Sequence, residues 1–97
     1  MRTYPRLTYL AGAYFHQDYD LEAPTPAGII ANFAESEEPG VIRELAAEIT
    51  SILDSDMTEG QIADLWLTTL RASYEPDREG LTYRAWLATV LAALEET

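Results

Sequence analysis

The residues best able to do chemistry crowd into one stretch, Tyr14-Phe15-His16-Gln17-Asp18-Tyr19-Asp20-Leu21-Glu22. His16, Asp18, Asp20 and Glu22 alternate, so an extended backbone would project them to one side. That pattern invites a divalent-cation reading. A calcium loop starting at Asp18 needs glycine at its sixth position and glutamate at its twelfth, where Ala23 and Ile29 stand. Starting at Asp54 puts Glu59 and Leu65 there, which fails for the same reason. Zinc would have one histidine and no cysteine to hold it. The stretch therefore reads as structural: His16 and Gln17 satisfy backbone groups where a first helix ends, and Tyr14, Phe15 and Tyr19 feed the core. Asp18 and Asp20 are left to face a partner.

Enzymatic chemistry lacks parts. Any Ser–His–Asp arrangement must use His16 with Ser36, Ser51, Ser55 or Ser73, and no G-x-S-x-G turn, glycine-rich phosphate loop or H-E-x-x-H helix occurs. The expectation is a protein that is not an enzyme and has no metal and no cofactor. Asp54-Ser55-Asp56-Met57 partly resembles the serine site of acidic helical carrier proteins, but Asp56 stands where that family has an apolar residue. An acidic carrier is kept as an alternative, beside the plainer reading of Ser55 and Asp56 as turn residues.

The elements that position these residues are helical. Thr25-Pro26 sets up an N-cap with proline at the first helical position, ahead of Ile29, Ile30 and Phe33. Pro39-Gly40 opens a second amphipathic run whose inner face is Val41, Ile42, Leu45, Ile49, Ile52 and Leu53. Thr58 and Gln61 form a capping box, with Met57 and Ile62 placed as a hydrophobic staple. Ile62, Leu65, Trp66, Thr69 and Leu70 continue the buried stripe, which Pro76 ends, and Asp77-Arg78-Glu79-Gly80 is a turn. Thr82 caps a last helix with the stripe Tyr83, Trp86, Leu87, Val90, Leu91 and Leu94. A shorter helix after Pro5 buries Leu7, Leu10, Ala11 and Tyr14. Trp66 and Trp86 sit on apolar stripes as core anchors, with a role as partner hot spots the alternative. The predicted fold is all-α, a compact bundle of four to five amphipathic helices in one domain over residues 1–97.

Composition limits the partners. The chain carries 17 acidic residues against 6 basic ones, all arginine, for a net charge of −11. At 47% hydrophobic it is no disordered acidic tail. Such a balance excludes direct binding of nucleic acid or an anionic membrane, which require basic surface. It suits a cationic partner or a general mimic of nucleic acid. Without cysteine, signal peptide or long apolar run, the chain is expected to be soluble and cytoplasmic, and a monomer.

The run Tyr4–Leu21, with Gly12-Ala13-Tyr14-Phe15-His16-Gln17-Asp18 at its centre, resembles the opening signature G-A-Y-F-H-Q-D-W-D-L of helical immunity proteins from contact-dependent growth inhibition systems. Tyr19 replaces the tryptophan, and Asp20 and Leu21 match again. Tyr74, Pro76, Gly80, Leu81, Tyr83, Arg84, Trp86 and Leu87 are similar to the family's closing pattern. The resemblance implies a small protein that binds and neutralises the C-terminal domain of a cognate toxin. Toxins of such systems are commonly nucleases with basic substrate surfaces. It also marks Tyr14, Phe15, His16, Gln17, Asp18 and Asp20 as motif residues with structural or binding roles.

The acids that could meet such a toxin gather at segment junctions: Asp18, Asp20 and Glu22; Glu35, Glu37 and Glu38; Asp54, Asp56 and Glu59; Glu75, Asp77 and Glu79. A standard interface takes ~800 Å² from each partner, so a functional patch requires clustering of this kind.

Overall fold

The computed structural model describes residues 4–15 and 25–95, and these form five α-helices with no strand among them. They are α1 (Pro5–Tyr14), α2 (Pro26–Ser36), α3 (Pro39–Leu53), α4 (Glu59–Asp64) and α5 (Tyr83–Glu95). The all-α bundle expected from the sequence is the fold observed.

Local signals start most of these helices. Proline occupies the first turn of α1, α2 and α3, where its missing N–H is no loss. The Thr25 hydroxyl accepts from Gly28 N at 3.1 Å, and Thr82 Oγ1 accepts from Ala85 N at 2.9 Å. The capping box is complete: Thr58 N donates to Gln61 Oε1 at 2.8 Å, and Gln61 N donates to Thr58 Oγ1 at 3.1 Å.

Helix α5 lies at the centre and packs against α2, α3 and α4, while α1 packs against α2 and α3. The buried faces are those the periodicity selects, including Leu45, Ile49 and Ile52 from α3 and Tyr83, Trp86, Leu87, Val90 and Leu94 from α5. Trp66 and Trp86 are core residues, 1% and 2% exposed, so neither is a surface hot spot. With Phe15 and Tyr74 they form one aromatic cluster. Phe15 lies 5.6 Å from Trp66 and 5.4 Å from Trp86, and Tyr74 lies 4.7 Å from Trp86, edge to face in each case. Trp66 Nε1 donates to the Tyr74 carbonyl at 2.8 Å.

Two expectations need correction. The segment after the capping box does not run as one α-helix to Pro76. From Leu65 to Thr69 it widens into a π-helical turn, in which Leu70 N donates to the Leu65 carbonyl at 2.9 Å. The smaller rotation per residue swings Thr69 out of the stripe, leaving it exposed while Trp66 and Leu70 stay buried. The helix then stops at Arg71, whose φ of 57° is left-handed. Pro76 instead opens a 3-10 turn, Pro76–Glu79, that Gly80 ends at φ 81°.

A side chain at φ 57° is held against a backbone preference of about 1–2 kcal/mol. Glycine removes that strain but adds unfolded-state entropy of about 0.5–1 kcal/mol. Arg71→Gly is therefore expected to raise the melting temperature by up to a few degrees, whereas the β-branched Arg71→Val lowers it. Thermal unfolding followed by circular dichroism separates the two signs.

Candidate functional site

The described carboxylates divide into those the fold uses and those it leaves to solvent. Glu37, at the end of α2, accepts the Tyr9 hydroxyl at 3.0 Å and the Tyr14 hydroxyl at 2.9 Å, both on Oε2. The two rings and Phe33 pack against one another, with Tyr14 and Phe33 5.1 Å apart. Glu59 accepts from the backbone N–H groups of Tyr83 and Arg84, satisfying two orphan donors at the start of α5. Asp77 accepts the Tyr83 hydroxyl at 2.9 Å, and Glu79 accepts the Tyr74 hydroxyl at 2.7 Å. Glu75 pairs with Arg78 at 3.3 Å. Tyr83 thus brings the junction before α4 and the 3-10 turn to one place, through its N–H on Glu59 and its hydroxyl on Asp77.

Glu35, Glu38, Asp54 and Asp56 are exposed, and their carboxylates take no hydrogen bond or ion pair among the described residues. Asp54 and Asp56 line an open recess of about 560 Å³ with Tyr4, Ser51, Ser55 and Met57. The Ser55 hydroxyl there is committed to the turn, donating to the Ile52 carbonyl at 2.6 Å and accepting from Met57 N at 3.3 Å. That arrangement fits the turn reading of Ser55 better than a carrier's attachment serine. Asp18, Asp20 and Glu22, with His16 and Gln17, lie outside the described residues. Of the six motif residues with a candidate role, Tyr14 and Phe15 are described: the Tyr14 hydroxyl donates to Glu37, and Phe15 is buried among the tryptophans.

Sequence reasoning missed three further groups. Glu48 accepts from the N–H groups of Arg6 and Leu7 at 3.0 and 2.9 Å, capping α1 from the side of α3. Glu44 pairs with Arg6. Arg84 donates to the carbonyls of Leu53 and Met57 at 2.8 and 2.7 Å, closing the C-terminal end of α3. One signal was available: Tyr4 cannot cap α1 with its own side chain, so the N–H groups after Pro5 had to find an acceptor elsewhere.

A second, largely apolar groove of about 440 Å³ lies where the end of α2 and the start of α3 meet the end of α5, with Glu37 on its edge. Among the described residues no helix is long and apolar enough to cross a membrane.

Residues 3–94 match the family described as CdiI immunity protein. The chain belongs to that family. It is also similar in structure to a chain of the crystal structure of the CdiA-CT/CdiI complex from Y. kristensenii 33638. The two superpose with a TM-score of 0.89 at 25% identity, over 94% of this chain and 97% of that one. No functionally curated protein matches it.

The tyrosine ties carry a pH signature. Burial, then the hydrogen bond and charge of Glu37, push the Tyr14 hydroxyl up to about 12, and burial with Asp77 does the same for Tyr83. Tyr9 is raised chiefly by its hydrogen bond to Glu37. An unfolded tyrosine ionises near 10.0. Stability tied to the neutral hydroxyls is therefore complete below pH 10 and is lost as pH rises through about 12. Urea unfolding between pH 9 and about 12 should show this decline, flattened in Tyr14→Phe and Tyr83→Phe.

Glu59 should behave as a cap although it stands in an acidic cluster. Glu59→Ala is expected to cost about 1–2 kcal/mol. Glu59→Gln should cost less, because its amide oxygen still accepts. Equal melting temperatures for Glu59→Ala and the parent would remove the capping role.

Proposed function

We propose that this protein is a non-enzymatic cytoplasmic inhibitor that binds the C-terminal domain of a cognate toxin. The toxin is proposed to be a nuclease, neutralised by acidic surface laid over its basic substrate-binding region. The observation carrying this reading is the set Glu35, Glu38, Asp54 and Asp56, exposed carboxylates that hold nothing inside the described fold. On a chain of net charge −11 they are available to a cationic partner without loss of internal structure.

Family membership supports an immunity role, and the similar chain comes from a structure named as a CdiA-CT/CdiI complex. Glu59, Asp77 and Glu79 have structural duties first, so in this proposal they add to the field more than to the contact. Asp18, Asp20 and Glu22 stay in the proposal on their sequence position alone.

Two measurements test it. Co-expression with the toxin encoded beside this gene should protect cells, and failure to protect overturns the reading. The association rate with that toxin domain should fall about tenfold or more between low and high salt as steering is screened. The variant Glu35→Gln/Glu38→Gln/Asp54→Asn/Asp56→Asn should start from a lower rate and depend less on salt. An association rate indifferent to salt would remove the electrostatic mechanism while leaving protection to be explained by packing.

A further inference from the structure

Glu37 stands where three features meet. Both tyrosine hydroxyls fall on Oε2, so Oε1 takes no hydrogen bond among the described residues. A carboxylate has room for about four donors, and this one is already oriented by two. Tyr9, which donates to it, is the large hydrophobic residue most open to solvent among the described residues, at 43%. Glu37 also lines the apolar groove, together with Ala34, Ile42, Ala46, Leu94 and Glu95.

The charges around the groove have one dominant sign. Glu35 follows Ala34, and Glu38 stands between Glu37 and the groove residue Pro39, whereas among the described residues Arg43 is the one cation lining it and Arg6 lies near enough to Glu37 to feel its charge. An acidic rim around an apolar floor is complementary to an apolar side chain flanked by basic ones, and 440 Å³ has room for a large side chain and part of its neighbours. The oriented Glu37 oxygen and the exposed Tyr9 supply the two surfaces that a guanidinium uses best, a charged acceptor and an aromatic face.

Resting on the immunity reading above, we propose that this groove is the anchor of the toxin interface. It takes one large apolar side chain of the toxin, while an adjacent arginine of the toxin is held by Glu37 and Tyr9.

The test uses the full chain and the catalytically inactivated C-terminal domain of the neighbouring toxin. Ala46→Arg fills the groove; Ala47→Arg makes the same charge change at the next residue, which is exposed and does not line it. Ala46→Arg should weaken binding about 30-fold or more, the loss expected of a hot spot. Ala47→Arg should weaken it only a few-fold through the field. Glu37→Gln should weaken binding at least tenfold with little change in melting temperature. Should Ala46→Arg fail to fold, Pro39→Arg, at an exposed groove position, decides in its place.

Equal affinities for the Ala46→Arg and Ala47→Arg proteins, with the parent still binding, overturn the groove and leave the immunity function standing. A parent that does not bind the toxin overturns the function itself. A dimer of the free protein that Ala46→Arg abolishes would assign the groove to a second copy and also overturn the proposal.

Discussion

Seventeen carboxylates share this chain with six guanidinium groups, and even those six are not all spent on acids. Arg84 gives its donors to two backbone carbonyls. Five of the described acids, Glu37, Glu48, Glu59, Asp77 and Glu79, take neutral donors instead: the N–H groups that open α1 and α5, and the hydroxyls of Tyr9, Tyr14, Tyr74 and Tyr83. A neutral donor satisfies a carboxylate without cancelling its charge. The same groups can then fasten helices together and sustain a strong negative field, which ion pairing would have quenched. Tyrosine matters here because its ring can pack in the core, as those of Tyr74 and Tyr83 do, while its hydroxyl reaches a surface acid.

That field is carried on an aromatic core joining the two ends of the chain. Phe15 lies at the end of α1, and its carbonyl accepts from Ser73 N at 2.7 Å. Its ring packs on Trp66, Tyr74 and Trp86. The opening and closing runs that resemble the immunity family thus meet through Phe15, Tyr74 and Trp86 in a single packed unit. Their joint appearance in the sequence has a structural reason that needs no shared contact with toxin. The middle of the chain, α2 and α3, supplies apolar faces to this unit and is free to differ outside them.

Features decided within a few residues were legible in advance. Proline at the first turns, the Thr58–Gln61 box, the Thr25 and Thr82 caps and the apolar stripes each follow from local spacing. What was not legible depends on residues far apart. Nothing near Glu48 says that it caps a helix 41 residues away in sequence, and nothing near Glu59 points to Tyr83. The π-helical turn is likewise set by packing, since Thr68 and Thr69 look like an ordinary continuation of the stripe. The acidic clusters were visible as composition at junctions. Their division into structural and unoccupied carboxylates was not, because it depends on which donors the fold brings within reach.

This division bears on how an acidic protein can be specific. The long-range field depends on how many charges there are and roughly where they sit, so the unoccupied Glu35, Glu38, Asp54 and Asp56 contribute to it without being fixed. A short-range contact is different. A mobile glutamate must surrender up to about 2 kcal/mol of rotamer freedom when it is pinned by a partner, which consumes much of what one exposed ion pair returns. A carboxylate already held by two hydroxyls gives up little of that freedom on binding. Discrimination among basic partners is therefore best placed on a tied acid with an oxygen to spare beside an apolar recess, and attraction on the untied ones. Glu37 has the first arrangement by virtue of Tyr9 and Tyr14, so charge density alone is a poor guide to where the decisive contact forms.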